Sequence, residues 1–406
     1  MSATSRALRG VAGIRDIETT GLPGQIEPAT ALTSQKPPKF ASLGLKTSLA
    51  SGINRTEKMT RVGLRTPSKS SPSPVTSFVS RCINSSTFLI IEDDSYGEHP
   101  HIYVKIYPNH LLITDTGCDT PRSKKPSLTS LRQYLETHPI GSNNDECLNP
   151  DGQKKYIILC THCHYDHILG ITQFLSANPI IIASDFQPSF LLEDLPTHSL
   201  CKFLGIQTPE YRITLWAGHL NFLKISGVPF RIQFLHIPGH TPDSLAWFDI
   251  DEHHLYVGDT FYERERSIPI AGLPGDADQV PDTQAAIIFP EEGGNWIQFM
   301  ASLDVLHSFV LHKNRGLRRQ HSLSYGAVPR VKVSCGHLTY SADAEDMVTE
   351  VRALFRRIIA GKVPVTSSSL KRGRIHDFWL EEGSRYSVLA PRHLAEEARE
   401  HYSQEK

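Results

Sequence analysis

The chain has 406 residues, with 42 Lys and Arg against 43 Asp and Glu, a net charge of −1 with histidine neutral. Apolar residues make up 39 % and charged residues 21 %, which excludes collagen-like, coiled-coil and fully disordered classes. No apolar run approaches the roughly 18 residues a bilayer span needs, and the N-terminus lacks a signal-peptide core.

Residues 1–75 are rich in Ser, Thr, Pro and Gly, with 11 basic against 4 acidic residues, a net +7. Such a segment buries too little apolar surface to offset its ordering entropy, so it is expected to be a disordered basic extension. Arg6, Arg9 and Arg15 among apolar residues also fit a mitochondrial transit helix, against which Asp16 and Glu18 count. The plain tail is the favoured reading. Residues 76–406, net −8, are expected to form the catalytic domain. Strands are predicted over 86–91 and 111–114, then a polar loop over 141–153 and a strand over 156–160. Ile168, Ile171, Phe174 and Leu175 follow at helical spacing, so a helix is predicted just after His167. Further strands are predicted over 179–183, 222–226, 230–236, 244–249, 253–258 and 331–334. Trp296, Phe299, Met300, Leu303, Leu306 and Val310 mark one long amphipathic helix, and Met347, Val351, Leu354, Phe355 and Ile358 a second. Pro391 is expected at the first helical position of a final helix. Strands with interleaved helices indicate an α/β layered fold, without an internal repeat. Seven cysteines without framework spacing indicate reduced thiols and a cytosolic location, with mitochondria as the alternative if residues 1–20 act as a transit peptide.

The chemistry concentrates in Thr161–Gly170, THCHYDHILG, between a strand end and a helix start. His162, His164, Asp166 and His167 fall within six residues. Imidazoles suit zinc, iron and other borderline divalent ions. The three imidazoles packed together would repel if protonated, a conflict that a metal resolves by requiring neutral imidazoles and an ionised carboxylate. A dinuclear site needs more ligands, and His240, Asp259 and His337 supply them. Each follows a predicted strand and has glycine beside it, which lets the backbone turn tightly toward a shared edge.

These residues resemble the metallo-β-lactamase fold superfamily. Its HxHxDH signature is matched by His162, Cys163, His164, Tyr165, Asp166 and His167, and its early Asp-Thr-Gly element by Asp115, Thr116 and Gly117. The likeness spans about residues 80–400 and implies a four-layer αβ/βα sandwich with metals at one edge. It assigns His162, His164 and His240 to one ion, Asp166, His167 and His337 to the second, and Asp259 as the bridge. Asp115 would hold the motif loop as a hydrogen-bond acceptor, or be a simple strand-end turn. The implied activity is hydrolysis of a small ester, thioester or lactone, of the glyoxalase-II or lactonase type. Two divalent ions, most plausibly Zn(II) with Fe or Mn as alternatives, would share a hydroxide that attacks the carbonyl, and Asp166 would orient it. The alternative is a mononuclear or diiron oxidoreductase of the persulfide-dioxygenase kind. The complete second ligand set counts against it.

Cys163, Cys118 and Cys335 are expected to be small core residues, and Tyr262 and Tyr165 to pack rather than react. His236, His253 and His254 are not recruited as ligands. Residues 262–294 form a long connection, either a cover over the site or a surface insertion. The basic residues 312–330 are read as a solvated loop, with anion binding as the lesser alternative. The acidic balance of residues 76–406 points to a small-molecule substrate, without nucleic acid or membrane partners; oligomeric state is not legible.

Overall fold

The structure, a computed structural model, describes residues 75–265, 285–321 and 327–404. The expected N-terminal extension, apart from Val75, lies outside the described residues, as does 266–284 of the 262–294 connection.

The first sheet runs in chain order through β1 (Phe78–Cys82), β2 (Thr87–Glu92), β3 (His101–Ile106), β4 (His110–Thr114), β5 (Lys155–Leu159), β6 (Ile180–Ser184) and β7 (Leu215–Ala217). It is antiparallel from β1 to β4 and parallel from β4 to β7. The second sheet holds β8 (Phe222–Ile225), β9 (Val228–His236), β10 (Leu245–Asp249) and β11 (His254–Tyr256). The two-residue β12 (Ile287–Ile288) belongs elsewhere, and β13 (Lys332–Ser334) and β14 (Ala342–Asp343) then complete the order β14-β13-β11-β10-β9-β8. β12 pairs with β17 (Ser387–Pro391) in a third sheet, beside β16 (Arg374–Leu380) and β15 (Ser367–Lys371).

The central strands of both sheets are covered on both faces, so β2, β5, β6 and β10 are near-continuous buried runs. The alternation still sorts the sides. Leu89, Ile91, Tyr103, Leu112, Ile157 and Leu159 meet Phe230, Ile232, Phe234, Leu245 and Trp247 between the sheets. Their neighbours Phe88, Ile90, Ile102, Val104 and Ile158 face the other way, toward Leu131, Tyr134 and Leu135 of α1 (Leu131–Thr137). On the far side, Leu235, Ala246, Phe248 and Leu255 pack under the long helices. The layers are therefore helix, sheet, sheet, helix, and the four-layer α/β sandwich is what the chain adopts. Each fully buried large side chain stabilises this arrangement by about 1.5–3 kcal/mol relative to exposure.

Helix α2 (Tyr165–Ile168) begins three residues earlier than the spacing predicts. The extended His164 precedes it, so Asp166 and His167 already sit in its first turn. Past Ile168 the chain continues as a 3₁₀ helix over Leu169–Ala177. The cause is local. Thr116 donates its N–H (2.8 Å) and hydroxyl (3.0 Å) to the His167 carbonyl, which an α-helix would give to a later amide. Gly170 is pressed there so closely that a Cβ would lie 2.2 Å from the Thr116 carbonyl oxygen.

Three short helices fill the β6–β7 connection: α3 (Pro188–Glu193), α4 (Leu195–His198) and α5 (Cys201–Leu204). Helix α6 (Trp296–Gln320) is capped by Asn295, whose side chain accepts the Gln298 N–H at 2.9 Å. It overturns part of the expected basic loop, since residues 312–320 are helical. The apolar stripe continues through Asn314, which is buried and donates to Glu345 at 2.8 Å, and Leu317. Helix α7 (Ala344–Ile359) starts on Asp343, whose carboxylate accepts the Glu345 and Asp346 amides. Helix α8 (Arg392–Ser403) follows Pro391, which is the last residue of β17 and the cap before the helix rather than its first helical residue. Among the described residues, no helix is long and apolar enough to cross a membrane.

Candidate metal centre

One edge of the two sheets collects the strand-end residues. His162 and His164 follow β5, and Asp166 and His167 project from the first turn of α2. His240 follows β9, Asp259 sits in a single 3₁₀ turn after β11, and His337 follows β13. The structure brings all seven together as two groups, and within each group the donor atoms lie within 4.8 Å of one another.

The first group is His162, His164 and His240. His164 Nδ1 lies 2.9 Å from His162 Nε2 and 3.0 Å from His240 Nε2. Outer contacts orient the rings. His240 Nδ1 reaches the Ile288 carbonyl at 2.8 Å, which puts its proton there and leaves the Nε2 lone pair for the site. His162 Nδ1 meets the Thr161 hydroxyl at 3.1 Å. Burial, reinforced by mutual repulsion, depresses all three imidazoles, His164 to about 3. They are therefore neutral at physiological pH.

The second group is Asp166, His167, Asp259 and His337. His167 Nε2 lies 3.1 Å from Asp166 and 3.3 Å from Asp259, and His337 Nε2 lies 3.2 Å and 3.1 Å from the same carboxylates. Burial opposes charge here too, but opposite charges outweigh it. Both carboxyls are held well below the usual range, and both imidazoles well above theirs. The groups adjoin, with the His162 and His167 rings 4.3 Å apart. The Asp259 charge acts on His162, His164 and His240 as well.

Asp115 makes the contacts expected of a loop holder. It accepts the Thr161 N–H, the Thr161 hydroxyl and His167 Nδ1, each at 2.8 Å. The His167 proton is thereby fixed on Nδ1, with Nε2 free for the cluster. Glycine is required at two approaches. A Cβ on Gly336 would lie 2.0 Å from Asp259 Oδ1, and one on Gly258 (φ +53°) would lie 2.6 Å from the Thr161 hydroxyl.

The donor set fits divalent ions on its own chemistry. His167 Nε2 and Asp259 Oδ1, 3.3 Å apart in the second group, are buried without a hydrogen bond of good geometry. A buried cluster with such orphaned atoms is costly unless something else satisfies it. Three neutral imidazoles suit one borderline ion, and two carboxylates with two imidazoles suit another.

The nearby cysteines and tyrosines are packed against neighbouring side chains. Cys163 turns away, packed with Ala183, Phe190 and Leu191, its thiol against the Asp243 carboxyl. Cys118 and Cys335 are core residues. Tyr262 is buried with its ring 5.5 Å from His337, and Tyr165 donates its hydroxyl to Glu98. His236 meets Asp185 at 3.1 Å and His254 meets Ser334 at 2.7 Å, both outside the two groups, as is His253.

Sequence reading missed several supports. Glu92 accepts the amides of Cys118 (2.7 Å), Asp119 (3.3 Å) and Thr120 (3.0 Å), and burial pushes its carboxyl up to about 7. Asp94, Glu98 and the Ile288 carbonyl were missed as well. Nothing in a run such as Glu-Asp-Asp-Ser separates a buried loop holder from surface acids. Asp243 is also buried, and its carboxyl is pushed up to about 7 by burial.

A family model described as the metallo-beta-lactamase superfamily matches residues 101–292. The chain is 29 % identical over 334 residues to an Aspergillus versicolor protein named "Putative transcription factor avaE", covering 80 % of this chain and 90 % of that one. It is 27 % identical over 109 residues to the hydroxyacylglutathione hydrolase GloC of Haemophilus influenzae, covering 26 % of this chain and half of the relative. Among solved structures, a metallo-beta-lactamase family protein of Thermus thermophilus has a TM-score of 0.43 at 17 % identity, covering 71 % of this chain and 85 % of that one. The FEZ-1 metallo-beta-lactamase of Legionella gormanii has a TM-score of 0.42 at 13 % identity, covering 72 % and 99 %.

Proposed function

We propose that this chain, whose residues 101–292 match the metallo-beta-lactamase superfamily, is a dinuclear metal-dependent hydrolase of a small ester, thioester or lactone. The observation that carries this reading is the completeness of both donor groups, three imidazoles in one and two imidazoles with two carboxylates in the other. Two divalent ions, zinc first, would supply Lewis acidity that lowers the pKa of an attacking water and polarises the carbonyl. His162, His164 and His240 would hold one ion, and Asp166, His167 and His337 the other. Asp259 would serve both, in keeping with its influence on the first group's imidazoles. Asp166, between His167 and His337, would orient the nucleophile as well as ligate. No side-chain nucleophile is needed, in keeping with the turned-away Cys163. The net −8 of residues 76–406 favours a small molecule over nucleic acid as the partner, and the cytosol is the proposed location.

Metal analysis of the purified chain, run beside a panel of ester, thioester and lactone substrates, tests this. Two zinc-like ions per chain with turnover is the expected result. Retained turnover in folded, metal-depleted protein would sink the reading. One iron per chain, with oxygen uptake on thiols and no hydrolysis, would put the oxidoreductase in its place.

A further inference from the structure

The loop between β2 and β3 reaches the second donor group at three points. The Glu98 carbonyl accepts His337 Nδ1 at 2.9 Å. The Glu98 carboxylate accepts the hydroxyl of Tyr165, the residue before Asp166. Just beyond, the His101 N–H donates to the Gly336 carbonyl at 2.7 Å. One short segment thus touches both arms of the group, the α2 arm and the His337 arm.

The loop's own shape comes from Asp94. Its carboxylate is fully buried and accepts four successive amides: Tyr96 (2.7 Å), Gly97 (2.8 Å) and Glu98 (3.3 Å) on Oδ1, and His99 (2.7 Å) on Oδ2. Gly97 (φ +82°) and His99 (φ +49°) both adopt left-handed backbone to converge on it. For His99 that conformation is unfavourable, and charge-assisted hydrogen bonds offset it. Next door, Arg122 Nε donates to Asp93 at 2.6 Å, so the strand end is pinned on both sides.

We propose that Asp94 is a positioning residue for the second metal ion, acting through the Glu98 carbonyl on the His337 ring. By fixing that carbonyl it holds the His337 proton on Nδ1 and aims Nε2 at Asp166 and Asp259. The first group's rings are oriented from elsewhere, by the Thr161 hydroxyl and the Ile288 carbonyl. The effect of Asp94 is therefore selective between the two ions. This inference rests on the two-ion reading above.

The test dialyses zinc-loaded full-length wild type, Asp94→Ala and Asp94→Asn against a series of buffered free Zn²⁺ concentrations. Retained zinc per chain is counted, and circular dichroism checks the fold. Asp94→Ala is expected to release its second ion at about 10–100-fold higher free zinc than wild type, with the first ion unmoved. Asp94→Asn should fall between, because its oxygen still accepts three amides while its NH₂ faces the His99 N–H. If Asp94→Ala does not fold, Asp94→Asn decides by the same split. Unchanged release of both ions, or an equal shift in both, overturns the proposal, the second outcome marking a merely structural role. Wild type that never retains more than one ion fells the dinuclear reading itself, which is a different failure.

Discussion

The two donor groups adjoin but solve burial in opposite ways. His162, His164 and His240 are three like groups, driven neutral by burial and by one another. Asp166, His167, Asp259 and His337 compensate each other's charge, so the carboxyls stay ionised and the imidazoles hold their protons in the metal-free chain. The first group is ready for a cation without releasing protons. The second must surrender protons to take one. A site built from both would be filled in order, and its activity would follow the harder of the two steps.

Removing one donor is the most drastic way to break this comparison. His162→Ala should strip the first ion and His337→Ala the second, and either should lower hydrolysis by about 10³-fold or more, read as kcat/KM beside metal content. Retention of activity by one of the pair would show that a single group suffices. Gly336→Ala should act almost as strongly. Its Cβ displaces Asp259, the residue shared by both groups, so both ions should be weakened and turnover should fall about 10²-fold. Asp115→Asn unfixes the His167 proton and should weaken the second ion by about 10–100-fold in a zinc titration.

pH sharpens the contrast further. Second-ion affinity should fall by up to about 10²-fold per unit as pH drops, since two protons compete on His167 and His337. First-ion affinity should stay flat through the ordinary histidine value, because burial holds its three imidazoles neutral below it. Stability of the metal-free chain carries the same signs. The raised imidazoles stabilise below about 6.5 and lose that contribution as pH rises through their folded values; the lowered carboxyls stabilise above about 3.8 and lose theirs as pH falls through the lowered values. The depressed imidazoles of the first group work against stability as pH falls below about 6.5. Metal content and melting temperature between pH 5 and 9 would check both. The smallest effect is expected for Cys163→Ala: activity within about twofold of wild type and a cost of roughly 1 kcal/mol in denaturant unfolding.

The site was more legible than its supports. Four donors fall within six residues, and each of the other three stands after a strand with glycine before it, so local sequence carries them. Asp94 and Glu98 act through backbone groups, which leave no trace in residue type. The same limit shows in the fold. The β2, β5 and β6 runs are apolar enough to declare themselves, whereas β15 is exposed along its whole length and reads as a polar linker. The C-terminal half of α6 was hidden because its buried stripe passes through Asn314, a polar residue satisfied by Glu345 and by the Val331 amide. The change from α-helix to 3₁₀ helix after Ile168 was hidden because Thr116, 51 positions from His167 in the chain, takes the carbonyl that would have continued the helix.

Both groups draw on both sheets: the β5 arm gives His162, His164, Asp166 and His167, and the second sheet's loops give His240, Asp259 and His337. Neither ion can therefore be fully held by half a molecule. During synthesis the histidine-rich motif leaves the ribosome about 170 residues before His337, so the second ion must wait until β13 has docked. Metal loading would then report on completed assembly, and an ion once bound would fasten one sheet to the other like a rivet. Scarcity of metal would be felt as slower maturation and a lower melting temperature as well as lost catalysis.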